Sequence, residues 1–297
     1  MLRRQLISAK AKEQLKNEIS AFLPGHSVTQ PEPCTAGIIF ASPHSGHLYP
    51  QSFIDRSSLD LFQMRVNEDM YIDELIAPIA AEAICLTAHF PRCYVDLNRA
   101  PDEYIDPKGN SVSAQTARAQ AGLGVIPTHI NEAIPLYDRP LTTFEIKLRL
   151  EALYRPYHKT LQDLLSTAKA QFGQALLVDC HSMPGFAPLG VRRPDIILGD
   201  RFGKSCHPET LKFIREHFER AGYSVGINYP YAGGFITRQY GQPENSIEAI
   251  QIEINRDLYM NAATQKKKRS FEKVSSDLTD IFRQIIYALT PQRHAAQ

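Results

Sequence analysis

Apolar residues fall in two rhythms along this chain. One is a set of short, nearly continuous runs at residues 37–41, 90–97, 176–178, 196–198, 223–228 and 247–254, which suit buried strands. The other has helical spacing and predicts helices over 8–22, 69–87, 143–170, 207–221 and 271–289. In the first helix Ser8 is the expected cap, Leu15, Ile19 and Phe22 share a face, and Pro24-Gly25 ends it, leaving 25–33 as a loop. The second carries Ile72, Leu75, Ile76, Ile79 and Ile84, with a kink expected at Pro78. The third is the longest pattern despite Pro156, and the last buries Phe271, Val274, Leu278, Phe282 and Ile285 behind a solvated charge run at 266–269. Residues 231–238 read as a glycine-containing loop ending in a cation. Strands alternating with helices predict an open α/β sheet. With no internal repeat or low-complexity linker, a single domain over 1–297 is expected.

Residues 100–142 break the rhythm. Five prolines and the turn Gly122-Leu123-Gly124 punctuate them, and so long an irregular stretch is expected to be a lid or binding loop. Composition adds exclusions. Thirty-three basic residues against 32 acidic leave a net charge of +1, so no electrostatic footprint for nucleic acid exists. Five cysteines, an odd number with no CxxC pair, argue against a disulfide framework and fit a reducing cytosol. The N-terminal stretch lacks the apolar core of a secretory signal, and no run approaches the roughly 20 apolar residues of a membrane span. A cytoplasmic protein is expected.

The chemistry gathers where the apolar runs end. The run 176–178 leads into Asp179, Cys180, His181 and Ser182 before the turn Pro184-Gly185, and the run 37–41 leads into His44 and His47. Ligands of open α/β sheets bind beyond the carboxyl ends of the strands. Asp96 to Arg99 and Glu253 to Arg256 occupy equivalent places. Familiar motifs fail: 199–205, GDRFGKS, has three residues between its glycine and GKS where a phosphate-binding loop needs four, and neither GxSxG nor HExxH occurs. Two imidazoles and one carboxylate make a catalytic Zn2+ site with an open position. His44 and His181 supply the rings, and Asp69 or Glu68 supplies the acid. Zinc lowers the pKa of a bound water to about 7, so a carboxylate base suffices, and Glu253 is free for that role.

Eight segments, at 42–50, 68–75, 94–101, 122–127, 176–185, 195–201, 230–241 and 251–260, carry a resemblance to the N-formylglutamate amidohydrolase family; among them are SPHSGHLYP, YVDLNRAP, LLVDCHSMPG and QIEINRDLYM. The resemblance implies a three-layer α/β/α fold with a central mixed, mostly parallel sheet, like that of zinc peptidases. It implies one Zn2+ ion and cleavage of the amide of an N-acyl amino acid, in the named activity N-formyl-L-glutamate to formate and L-glutamate, within histidine catabolism. On this chain the metal ligands fall on His44, Asp69 and His181 and the late carboxylate on Glu253. Arg99 or Arg238 is expected to steady the oxyanion, while Arg192 and Arg256, with Asn98, Ser182 and Tyr231, bind a small substrate bearing carboxylates. No nucleic acid or membrane partner is expected, and a homo-oligomer stays open. Hydrolysis of another N-acyl amino acid, a small peptide or a cell-wall fragment, and non-catalytic dicarboxylate binding, are the rival readings.

Overall fold

The computed structural model describes residues 8–104 and 116–290. Seven strands form the main sheet: β1 (His26–Thr29), β2 (Ile38–Ser42), β3 (Ile84–Ala88), β4 (Ala175–Met183), β5 (Ile196–Gly199), β6 (Val225–Ile227) and β7 (Ile247–Asn255). Their spatial order is β1-β3-β2-β4-β7-β5-β6. The four central strands, β3, β2, β4 and β7, run parallel, whereas β1 and β5 pair antiparallel to their inner neighbours. Helices α1 (Ala9–Ser20), α2 (Ile72–Ile76), α3 (Ala117–Gln120), α4 (Thr143–Arg149), α5 (Arg155–Phe172), α6 (Pro208–Arg220), α7 (Phe235–Tyr240) and α8 (Phe271–Leu289) complete the frame.

Period-two alternation decides the layers. On β4, Leu176, Val178 and Cys180 face one core, shared with Phe40, Ile250, Ile252 and the apolar sides of α2, α6 and α8. Ala175 and Leu177 face the other, shared with Ile39, Ala41 and Ala249 and capped by Tyr157, Leu161 and Leu165 of α5. The result is the expected three-layer α/β/α arrangement around a mixed, mostly parallel sheet. That second face turns polar at its carboxyl end. Asp179 and His181 continue the Ala175–Leu177 side, and in register beside them stand Gln251 and Glu253. All four are buried. Buried polar groups on one half of one sheet face are costly unless paired with each other or with a ligand.

Several elements depart from the sequence pattern. The segment read as the loop 25–33 contains edge strand β1. The helix expected over 69–87 is only α2, followed by a 3-10 turn through Pro78, and its tail is strand β3. ICLTA is a short apolar run, and such runs satisfy either periodicity until a neighbouring strand claims their backbone. Residues 90–97 in turn form no strand; Phe90, Tyr94, Val95 and Leu97 are buried through turns. Pro156 is absorbed by a π turn at Leu150–Tyr154, which lets α4 run on into α5. Residues 231–238 are loop only in their first half, since α7 begins at Phe235. Lys266–Lys267 pairs with Met260–Asn261 as a two-residue ladder, so the charge run stays exposed but lies outside α8. Within the expected lid, 105–115 lies outside the described residues, and the rest holds α3 and a small hairpin, His129–Asn131 with Ile134–Pro135.

Candidate metal centre and active site

The polar end of the sheet opens into a cavity of about 490 Å3 lined by His44, Asp69, His181, Glu253 and their neighbours. His181 comes from β4, and Glu253 is its register partner on β7. His44 follows β2 in a turn held by a Ser42 Oγ to Ser45 Oγ hydrogen bond of 2.7 Å. Gly46 lets that turn lie against the chain at Phe90, because a Cβ there would stand 2.1 Å from the Phe90 carbonyl oxygen. Asp69 joins by donating its backbone N–H to the His44 carbonyl at 2.9 Å.

The side chains of His44, Asp69 and His181 offer one ligand atom each, all within 4.8 Å of one another. Asp69 Oδ2 lies 2.9 Å from His181 Nδ1 and 3.5 Å from His44 Nδ1. His44 Nδ1 is buried and has no hydrogen-bond partner. Its other nitrogen, Nε2, donates to Asp96 Oδ1 at 2.8 Å, and His181 Nε2 lies 3.0 Å from Asp179 Oδ2. The hydrogen-bonded carboxylate behind His44 fixes which nitrogen of that ring faces the cluster, the arrangement that supports metal-binding histidines, and Asp179 stands behind His181 as a close carboxylate without a hydrogen bond. Two imidazole nitrogens and one carboxylate oxygen, one ring nitrogen left without a hydrogen-bond partner in a buried cluster, fit a divalent cation such as Zn2+. Glu68 is elsewhere engaged: it accepts from Arg65 at 2.8 and 3.0 Å and from the Tyr49 hydroxyl at 3.1 Å.

Electrostatics follow from the crowding. Burial works against charge at Asp69, yet hydrogen bonds from His181 and His44 hold its carboxyl well below the usual range. At Asp96 burial is likewise outweighed, by Arg92 and His44. Burial disfavours a charged His181, but Asp179 and Asp69 prevail and raise its proton affinity well above that of a free imidazole. Glu253 goes the other way: burial pushes it up to about 7, only partly countered by His181 and Arg92. Its Oε1 accepts from Gln251 Nε2 at 2.7 Å.

The remaining expected residues divide. Asn98, Arg99, Ser182, Tyr231 and Arg256 line the cavity. Arg256 is bound into it, donating from Nε to Ser182 Oγ at 2.9 Å and from Nη2 to Asp69 Oδ1 at 3.0 Å. Asn98 places Nδ2 3.2 Å from His181 Nε2. Arg192 and Arg238 are not among the lining residues: Arg192 is exposed and paired with Asp195 at 3.2 Å, and Arg238 stands over the Phe235 ring at 5.5 Å. Sequence reasoning passed over Arg92, Arg118, Asp179 as a partner of His181, and Gln251. Asp179 and Gln251 each sit two residues before a named residue on the same strand, so period two could have found them. Arg92, joined to Asp96 at 2.8 Å, was hidden in the segment read as strand. Arg118, in the irregular stretch, gave no signal.

A model of the N-formylglutamate amidohydrolase family matches residues 36–260, a span that contains every metal-cluster and cavity residue named so far. The chain belongs to the N-formylglutamate amidohydrolase family. It is 33% identical over 232 residues to an N-formylglutamate deformylase of Pseudomonas aeruginosa, covering 75% of this chain and 82% of that one. To an N-formylglutamate deformylase of Pseudomonas putida it is 33% identical over 214 residues, or 70% and 74% of the two chains. The crystal structure of an N-formylglutamate amidohydrolase from Ralstonia eutropha superposes with a TM-score of 0.83 at 31% identity, over 89% of this chain and 98% of the other. No helix among the described residues is long and apolar enough to cross a membrane.

Proposed function

We propose that this family member is a metal-dependent amidohydrolase that deformylates N-formyl-L-glutamate, with Zn2+ as the metal. The observation that carries the reading is the buried His44–Asp69–His181 cluster opening into a cavity with Glu253 on the adjoining strand. Two deformylases one-third identical to this chain support the substrate. Held by those three side chains, the cation would polarise the scissile carbonyl and acidify water.

The protein's own groups do the rest. Glu253, whose proton affinity burial has moved close to neutrality, takes the proton of the attacking water and returns it to the departing amine nitrogen. Gln251 orients that carboxylate. Arg92, kept firmly protonated by Asp96 and Asp69 despite burial, lines the same cavity, and this cation steadies the negative charge that develops on the carbonyl oxygen. Arg256 keeps Asp69 in place through its hydrogen bond to Oδ1. The test is formate release from N-formyl-L-glutamate by purified protein loaded with Zn2+, beside its metal content. Metal-loaded protein that releases no formate would overturn the proposal.

A further inference from the structure

Four arginines line the cavity among the described residues: Arg92, Arg99, Arg118 and Arg256. Two are committed to carboxylates of the protein, Arg92 to Asp96 at 2.8 Å and Arg256 to Asp69 at 3.0 Å. Among the described residues Arg99 forms just a distant ion pair, with Asp96 at 3.9 Å, and spends Nε and Nη1 on the carbonyls of Leu123 and Asn98. Arg118 makes no hydrogen bond or ion pair through its guanidinium among the described residues and is exposed at the rim.

These two cations are brought together by construction. The Arg118 carbonyl accepts the Leu123 N–H at 2.8 Å, and the Leu123 carbonyl accepts Arg99 Nε at 3.3 Å, so one residue bridges both. The platform is tied down further. Thr116, which caps α3, donates to Glu103 Oε1 at 2.7 Å, and the Glu103 carbonyl accepts Val125 N–H at the same distance. Gly124 permits this closeness, since a Cβ there would stand 1.9 Å from that carbonyl oxygen. The like charges of Arg99 and Arg118 lie near enough to repel. A fixed pair of cations facing a cavity is a receptor for an anion.

We propose that Arg118 determines specificity for a dicarboxylic substrate by binding its side-chain carboxylate, while Arg99 binds the carboxylate next to the reacting amide. Arg99 lies inward, against Asp96 and hence the His44 ring; Arg118 lies outward. In an N-acyl glutamate the α-carboxylate sits one carbon from the scissile nitrogen and the other lies two methylenes beyond, the same order. The assignment rests on the amidohydrolase reading above and goes beyond it in naming which residue reads the side chain.

The experiment compares N-formyl-L-glutamate with N-formyl-L-glutamine, equal in shape but lacking the distal charge, on the metal-loaded wild type, Arg118→Ala and Arg118→Lys. Loss of one exposed charge-assisted contact should lower the glutamate-to-glutamine ratio of kcat/KM about 10-fold, through KM, with Arg118→Lys restoring part. Higher salt should narrow the wild-type preference. Calorimetric titration with L-glutamate and L-glutamine reads the same discrimination without turnover. If the wild type hydrolyses neither substrate but Arg118→Ala selectively weakens glutamate binding, the activity falls and the assignment stands. An unchanged ratio in both measurements overturns the assignment and leaves the activity intact.

Discussion

Replacing Glu253 by glutamine separates its proposed role from that of the metal cluster. Glu253 is buried, and its carboxyl is pushed up to about 7, so near neutral pH about half of it is uncharged. Glutamine is nearly isosteric with that neutral form and keeps an oxygen to accept from Gln251 Nε2, so the fold should lose little stability. Metal content should also hold, because the cluster is completed by His44, Asp69 and His181 without Glu253. Activity is different. Loss of a general base typically lowers turnover about 10²–10⁴-fold, or about 3–5 kcal/mol of barrier. The pH profile gives a second reading. The working form is the carboxylate, so kcat/KM climbs as pH rises through its pKa and then levels; a bound dication draws that pKa downward, placing the acid limb at or below about 7. The assay is initial-rate formate release with parallel metal analysis of wild type and Glu253→Gln. A fully metallated variant within tenfold of wild type would refute the argument, as would one that loses its metal along with its activity.

Other substitutions probe the frame around the site. His44→Ala and His181→Ala should each abolish stoichiometric metal binding, and Asp179→Asn should weaken it about 10–100-fold by removing the carboxylate behind His181 Nε2, measured by chelator competition. Gly46→Ala should cost about 1–3 kcal/mol in denaturant unfolding, since its Cβ would meet the Phe90 carbonyl oxygen at 2.1 Å; an unchanged midpoint would show that the turn carrying His44 relaxes freely. His158 links stability to acid. Burial lowers it from 6.5 to about 4, offset only in part by the Leu97 carbonyl. Above 6.5 neither state is protonated and the group contributes no slope; as pH falls from 6.5 towards 4 the unfolded chain gains the proton first, and up to about 3 kcal/mol of stability is lost. His158→Gln should flatten the stability profile in that window, and an identical slope would exclude the histidine as its source.

Much of the sheet could be read from the chain because each strand's faces are written in local alternation. Leu176, Val178 and Cys180 against Leu177, Asp179 and His181 place β4 between two layers and turn one face polar, and Ile250, Ile252 and Ile254 against Gln251 and Glu253 do the same for β7. The short apolar segments around β3 were ambiguous for the opposite reason: ICLTA and the run through Tyr94 and Val95 are equally apolar, and only the backbone of β2 decides which one pairs.

The amino-acid order alone marked His44, His181 and Glu253, because reactive groups at the ends of apolar runs end up at the carboxyl edge of a parallel sheet, and it left the acid open between Asp69 and Glu68. What the tertiary structure alone decided is the allegiance of the arginines. Arg256 turns to Asp69, 187 residues away in sequence, while Arg192 turns outward to its neighbour Asp195. Arg118, unremarkable in the sequence, is carried by α3 to the cavity rim beside Arg99. A long side chain takes whichever carboxylate the fold brings within about 3 Å, and that proximity is set by strand register and loop closure rather than by spacing along the chain.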